Sequence, residues 1–138
     1  MIRFNHDNFL TLPETDLQQW LISIALREGY AVEELEYNFV DAETLFSFNK
    51  KYLNHETHTD IITFDYSESK AINAEAYISR DALKKNAAAL SQTFENECLR
   101  LISHALLHCM GHNDKTKEEK EQMRLKEEDC INLFHVKH

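Results

Sequence analysis

Cysteine, glycine and positive charge are all scarce in this chain of 138 residues, and each scarcity narrows what it does. The three cysteines, Cys98, Cys109 and Cys130, are odd in number, widely spaced and set in helix-like segments. Reduced, buried thiols are therefore favoured over a disulfide framework. No apolar run approaches the ~20 residues of a membrane span, so no membrane partner is expected. Met1 to Leu12 lacks the charged head and apolar stretch of a signal peptide, and a cytoplasmic location is expected. No repeat, low-complexity tract or linker interrupts the chain. Fifteen Lys and Arg stand against 24 Asp and Glu, a formal net charge of −9. That balance repels phosphates at long range, so any nucleic-acid activity needs a local basic patch. Lys50 with Lys51, Lys84 with Lys85, and Lys115 with Lys117 are the candidates, although each pair also reads as a solvated helix face.

What the chain does contain is enough apolar residue, 43%, for one ordinary core, and residues 1–138 are read as a single domain. Ile2 to Asn5 reads as a short edge strand. Thr11 and Glu14 around Pro13 form a helix-start signal in which hydroxyl and carboxylate cap reciprocally. Leu17, Trp20, Leu21, Ile24 and Ala25 then recur at helical spacing until Gly29. Leu35, Tyr37 and Phe39 alternate with polar residues, the period of a half-buried strand. Asp41 caps a second helix through about Leu53. Asp60 to Tyr66 and Ala74 to Ser79, separated by the polar run Ser67 to Asn73, predict a hairpin. Helices follow over Arg80 to Gln92, over about Phe94 to Met110, and from a Thr116/Glu119 capping box onward.

The densest chemistry lies at the end of the penultimate helix. His104 and His108 are four residues apart, so both imidazoles fall on one helix face and can reach one ion at about 2.0–2.1 Å. Gly111 has the freedom of φ > 0 that ends a helix and swings the chain back toward the pair. Asp114 is then the expected third ligand, favoured over His112, which an unbroken helix would align with the other two. Three nitrogen and oxygen ligands leave a coordination position for water, as a catalytic rather than a structural site requires. Ala105 occupies the place where HExxH metalloproteases carry their glutamate base, which disfavours peptide hydrolysis. Cys109 points about 100° away around the helix and reads as packing. His112 reads as a rim residue or an exposed turn; His6, His55 and His58 lie in terminal or polar segments, and His6 carries no expected role. Asp60 either holds a turn or supports a metal-binding histidine from behind.

These residues resemble a known family, the YbeY-type endoribonucleases. His104, Leu107, His108 and Gly111 stand where its signature H-G-x-L-H-L-x-G-Y-D-H places them, with Asp114 at its third histidine. Upstream, Asn49, Tyr52, Thr59, Asp60, Ile61, Ile62 and Phe64 are similar to its L-N-x-x-Y-R-x(5)-T-D-V-L-S-F segment, with Phe48 for the leucine and Leu53 for the arginine. Ala74 to Ser79 resembles its G-D-I-x-I-S strand. The resemblance implies a single compact α+β domain, a small mixed sheet of about four strands with about five helices packed on it. It also implies one divalent metal, zinc being the expected ion, and single-strand-specific cleavage of RNA in ribosomal RNA maturation and ribosome quality control. Precursor rRNA and ribosomal particles are then the partners, with no DNA expected.

Asp114 in place of a histidine lowers the site's charge from about +2 to about +1 and should acidify a bound water less. Leu53 leaves phosphate contact to Lys50, Lys51 or another residue. The ion would polarise a phosphoryl oxygen or deliver hydroxide, and no general base is assigned. The competing expectation is a non-catalytic ribosome-assembly factor whose metal is mainly structural.

Overall fold

The computed structural model describes residues 1–54 and 59–138, so the expectations for His55 and His58 lie outside the described residues. The elements are β1 (Ile2–Asn5), α1 (Glu14–Arg27), β2 (Ala31–Val40), α2 (Ala42–Leu53), β3 (Ile61–Asp65), β4 (Ala71–Ser79), α3 (Arg80–Ala89), α4 (Phe94–Cys109) and α5 (Lys117–Lys137). The sheet order is β1-β2-β4-β3. β1, β2 and β4 run parallel, and β3 is antiparallel to β4. A mixed four-stranded sheet with five helices is the α+β class expected from the resemblance.

The expected alternation sets which face of each strand is buried. Ile2 and Phe4 of β1, Leu35, Tyr37 and Phe39 of β2, and Ile72, Ala74, Ala76 and Ile78 of β4 all join the core. The β3–β4 hairpin forms as read, pairing Ile61 with Ile78 and Asp65 with Ala74. Both β2 and β4 begin earlier than their alternation does. Ala31 pairs with Ala71 and Val32 with Ile72 before a register shift at Glu34. Pairing there comes from the neighbouring backbone, a contribution invisible in either segment alone.

Four of the five helices begin at a side-chain cap: Asp41 for α2, Ser79 for α3, Thr93 for α4 and Thr116, with its Glu119 box, for α5. The predicted reciprocal cap of Thr11 and Glu14 does not form. Pro13 takes the N-cap position of α1 and offers no side-chain acceptor, which leaves Glu14 as the first helical residue, too near to reach back. Thr11 Oγ1 instead donates to Glu95 at 2.8 Å. α3 ends at Ala89, three residues short of the expected Gln92, where Ser91 takes a left-handed conformation (φ 54°).

One buried cluster joins the inner sheet face to α1, α4 and α5. α4 touches β3, β4, α1, α3 and α5, and burial of Cys98, Leu99, Leu101, Ile102, Ala105, Leu106 and Leu107 covers most of its circumference. Two long-range hydrogen bonds pin this arrangement. Trp20 Nε1 donates to the Cys130 carbonyl at 2.7 Å, and the Tyr37 hydroxyl donates to the Ile102 carbonyl at 2.7 Å. The second holds α4 to β2, one of the two inner strands, so the rotation of α4 is set by the core. Among the described residues no helix is long and apolar enough to cross a membrane.

Candidate active site

The last turn of α4 closes with the hydrogen bonds of a Schellman motif. Gly111 N donates to the His108 carbonyl at 3.1 Å, and His112 N donates to the Leu107 carbonyl at 3.1 Å. Gly111 has φ 90°, a conformation that side chains with a Cβ seldom adopt. The chain thereby turns out of α4, and Asp114 comes back toward His104 just before the capping box starts α5. His104, His108 and Asp114 line one cleft of ≈ 570 Å³, together with Leu53, Asp60, Thr63, Arg100 and Lys115.

Each imidazole is held from its Nδ1 side. His104 Nδ1 donates to Glu127 Oε2 at 2.7 Å, and His108 Nδ1 lies 3.1 Å from the His112 carbonyl oxygen. Both Nε2 atoms are left for another partner, the arrangement in which a histidine binds a metal. His104 Nε2 stands 3.3 Å from Asp114 Oδ2. A neutral ring that donates through Nδ1 turns a lone pair at Nε2 toward that carboxylate, so the contact requires positive charge on the ring or between the groups. Burial pushes the His104 imidazole toward its neutral form, but the Glu127 hydrogen bond and charge, with Asp114 and Asp60, outweigh it and raise its pKa.

Two ligands of a tetrahedral ion at about 2.0–2.1 Å lie about 3.3 Å apart, so His104 and Asp114 already span such an edge. The His104 and His108 ring centroids are 6.1 Å apart. Among the described residues no three His, Cys, Asp or Glu side chains are close enough to hold an ion as they stand. The donor chemistry fits a divalent cation, then, while the set is open, with the exposed His108 as its outer member.

His112 turns away from this cleft. Its Nε2 lies 2.7 Å from Glu28 Oε1 at the end of α1, and only its carbonyl serves the site. His6 accepts from Leu10 N at 3.0 Å, a local structural role. Among the described residues Asp60 makes no hydrogen bond or ion pair with a histidine, and it acts on His104 only through its charge. It accepts from Asn86 Nδ2 at 3.1 Å and lies 3.6 Å from Arg100 Nη2. Lys50 and Lys51 are exposed at the end of α2 and are absent from the described lining of the cleft; Lys51 Nζ sits 5.3 Å over the Tyr52 ring. Cys109 is a buried free thiol pushed up to about 12, first by burial and then by Asp65.

Two residues that the sequence reading passed over build the back of the site. Glu127 is 3% exposed and lies on α5 in line with Met123, Cys130 and Phe134. A carboxylate on an apolar stripe was the available signal. Arg100 gives Glu97, itself 0% exposed, a two-pronged grip at 2.9 and 2.6 Å. Arg100 also reaches Glu127 Oε1 at 3.6 Å. Glu127 is thus held as a carboxylate on one side while it orients His104 on the other.

Two oriented imidazoles and a carboxylate facing an open cleft are side chains that hydrolases use, and comparison with known proteins shows the class to be that of the nucleases. The family model described as Endoribonuclease YbeY matches residues 3–135. Endoribonuclease YbeY of Flavobacterium psychrophilum is 39% identical over 138 residues, covering 99% of each chain. That of Cytophaga hutchinsonii is 43% identical over 119 residues, covering 86% of this chain and 83% of its own. The chain belongs to the endoribonuclease YbeY family. A solution structure of TM1509 from Thermotoga maritima shares the fold, with a TM-score of 0.66 at 22% identity over 99% of this chain and 93% of that one.

Proposed function

We propose that the cleft cuts single-stranded RNA with the help of one divalent ion, zinc, and that precursor rRNA in cytoplasmic ribosomal particles is its substrate. Endonuclease action on RNA follows from the family; the metal, its ligands and the ribosomal setting are our reading. The observation that carries it is the facing pair of acceptors, His104 Nε2 and Asp114 Oδ2, at the edge length of a tetrahedral site. His104, His108 and Asp114 would hold the ion, which supplies Lewis acidity toward a phosphoryl oxygen or a water.

The chain's own residues do the rest. Glu127 keeps His104 Nδ1 protonated and Nε2 available, and the His112 carbonyl does the same for His108. Arg100 holds Glu127 in place and is too committed to carboxylates to serve the substrate. Lys115, exposed at the cleft's edge and outside any described ion pair, is placed to meet a phosphodiester where Leu53 offers no charge.

The test compares the wild-type protein with His108→Ala, purified identically, for bound metal and for cleavage of an unstructured RNA. Wild type should carry about one ion per chain and cut; the variant should lose both. Equal metal in the two proteins removes His108 from the site, and equal cleavage assigns the activity to a contaminant.

A further inference from the structure

We propose that Lys117, Lys120 and Arg124, on one face of α5, form the track that grips the RNA backbone beside the scissile bond; this rests on the ribonuclease reading above. A second groove of ≈ 480 Å³ opens on the other side of His104 and Asp114. It shares Arg100, His104 and Asp114 with the cleft, so a strand lying in one runs into the other. Its outer wall carries Lys117, Lys120 and Arg124. At about 100° per residue these three fall within about 60° of one another around the helix, over a length of about 10 Å.

Their freedom distinguishes them from Arg100, the other cation of this groove. All three are exposed, and no described ion pair or hydrogen bond engages their side chains. Arg100, by contrast, is spent on Glu97, Glu127 and Asp60. The groove's own carboxylates are largely accounted for. Glu127 and Asp114 face His104, and Glu121 is the remaining one, so three free cations stand against one free acid. A chain of net charge −9 repels a polyanion except where such a local excess exists. Flexible lysines and an arginine that read charge without base contacts suit a backbone whose sequence varies.

The experiment measures binding of a short, unstructured, fluorescently labelled RNA by anisotropy, in chelator to suppress cleavage, across a salt series. The groove variant Lys117→Gln/Lys120→Gln/Arg124→Gln is compared with wild type and with Arg27→Gln/Lys126→Gln/Lys137→Gln. The control makes the same change in net charge at exposed positions outside the groove. The groove variant should bind about 10-fold more weakly at low salt. Its slope of log affinity against log salt should fall by about 2, from ~0.7 per lost phosphate contact. The control should keep the wild-type slope. Equal slopes and affinities for groove and control variants overturn the proposal, as does a wild-type protein that binds no RNA. Groove-dependent binding by a wild-type protein that never cuts RNA, with metal restored, keeps the track and sinks the ribonuclease reading instead.

Discussion

Charged side chains on the outer face of the sheet and those between the helices packed on its inner face are used in opposite ways. On the outer face of β1 and β2, Arg3 meets Glu34 and Glu36 at 3.3 Å each, with the Arg3 and Glu34 side chains about half exposed. Behind the inner face, Glu97, Arg100, Glu127 and His104 form a chain of contacts within which the two glutamates are almost wholly buried. Water can replace any partner on the outer face. In the interior each carboxylate depends on its neighbour, because an unpaired buried charge is costly. The same residue types therefore serve solubility on one side and geometry on the other.

The difference is open to direct attack, first at Arg100. Arg100→Ala strands Glu97 and Glu127 and should cost about 3–5 kcal/mol in denaturant unfolding. A loss below about 1 kcal/mol would make the interior network no more important than the surface one. Glu127→Gln keeps the shape but weakens the grip on His104, and metal affinity by competitive chelation should fall about 10- to 100-fold.

The thiols next to that network sharpen the contrast through pH. Burial, then Glu95 and Glu97, push Cys98 up to about 12, whereas an unfolded thiol ionises near 8.5. A raised folded value means that the stabilisation is whole below about pH 8.5 and is lost as pH rises toward about 12. At about pH 9.5 the loss should be at most ~1.4 kcal/mol, and Cys98→Ala should flatten the dependence by that amount. The smallest effect belongs to the outer face. Arg3→Ala should change stability by about 0.2–1 kcal/mol, and less in high salt.

Much of this molecule is legible in its residues because the relevant signals are local. Helix caps at Asp41 and Thr116 and the apolar stripe of α1 depend on neighbours within a turn or two, and they form as read. The turn at Gly111 is of the same kind, and it returns Asp114 to His104. The cap expected at Thr11 fails for a local reason too, since Pro13 displaces the helix start. The early starts of β2 and β4 were hidden because a strand partner, distant in sequence, supplies the pairing. The roles of Glu127 and Arg100 were hidden for a related reason. A glutamate in a charged helix looks solvated until the helix is known to press it against α4.

By itself the sequence determined that two imidazoles share a helix face, that the helix stops at Gly111, and which family the chain joins. Only the tertiary structure decided that Glu127 rather than Asp60 holds His104, that Arg100 is unavailable to a substrate, and that Lys117, Lys120 and Arg124 line a groove shared with His104. The reason is physical. Backbone periodicity and capping are settled over a few residues, whereas the pairing of charges 23 positions apart, as in His104 and Glu127, waits on how whole helices pack.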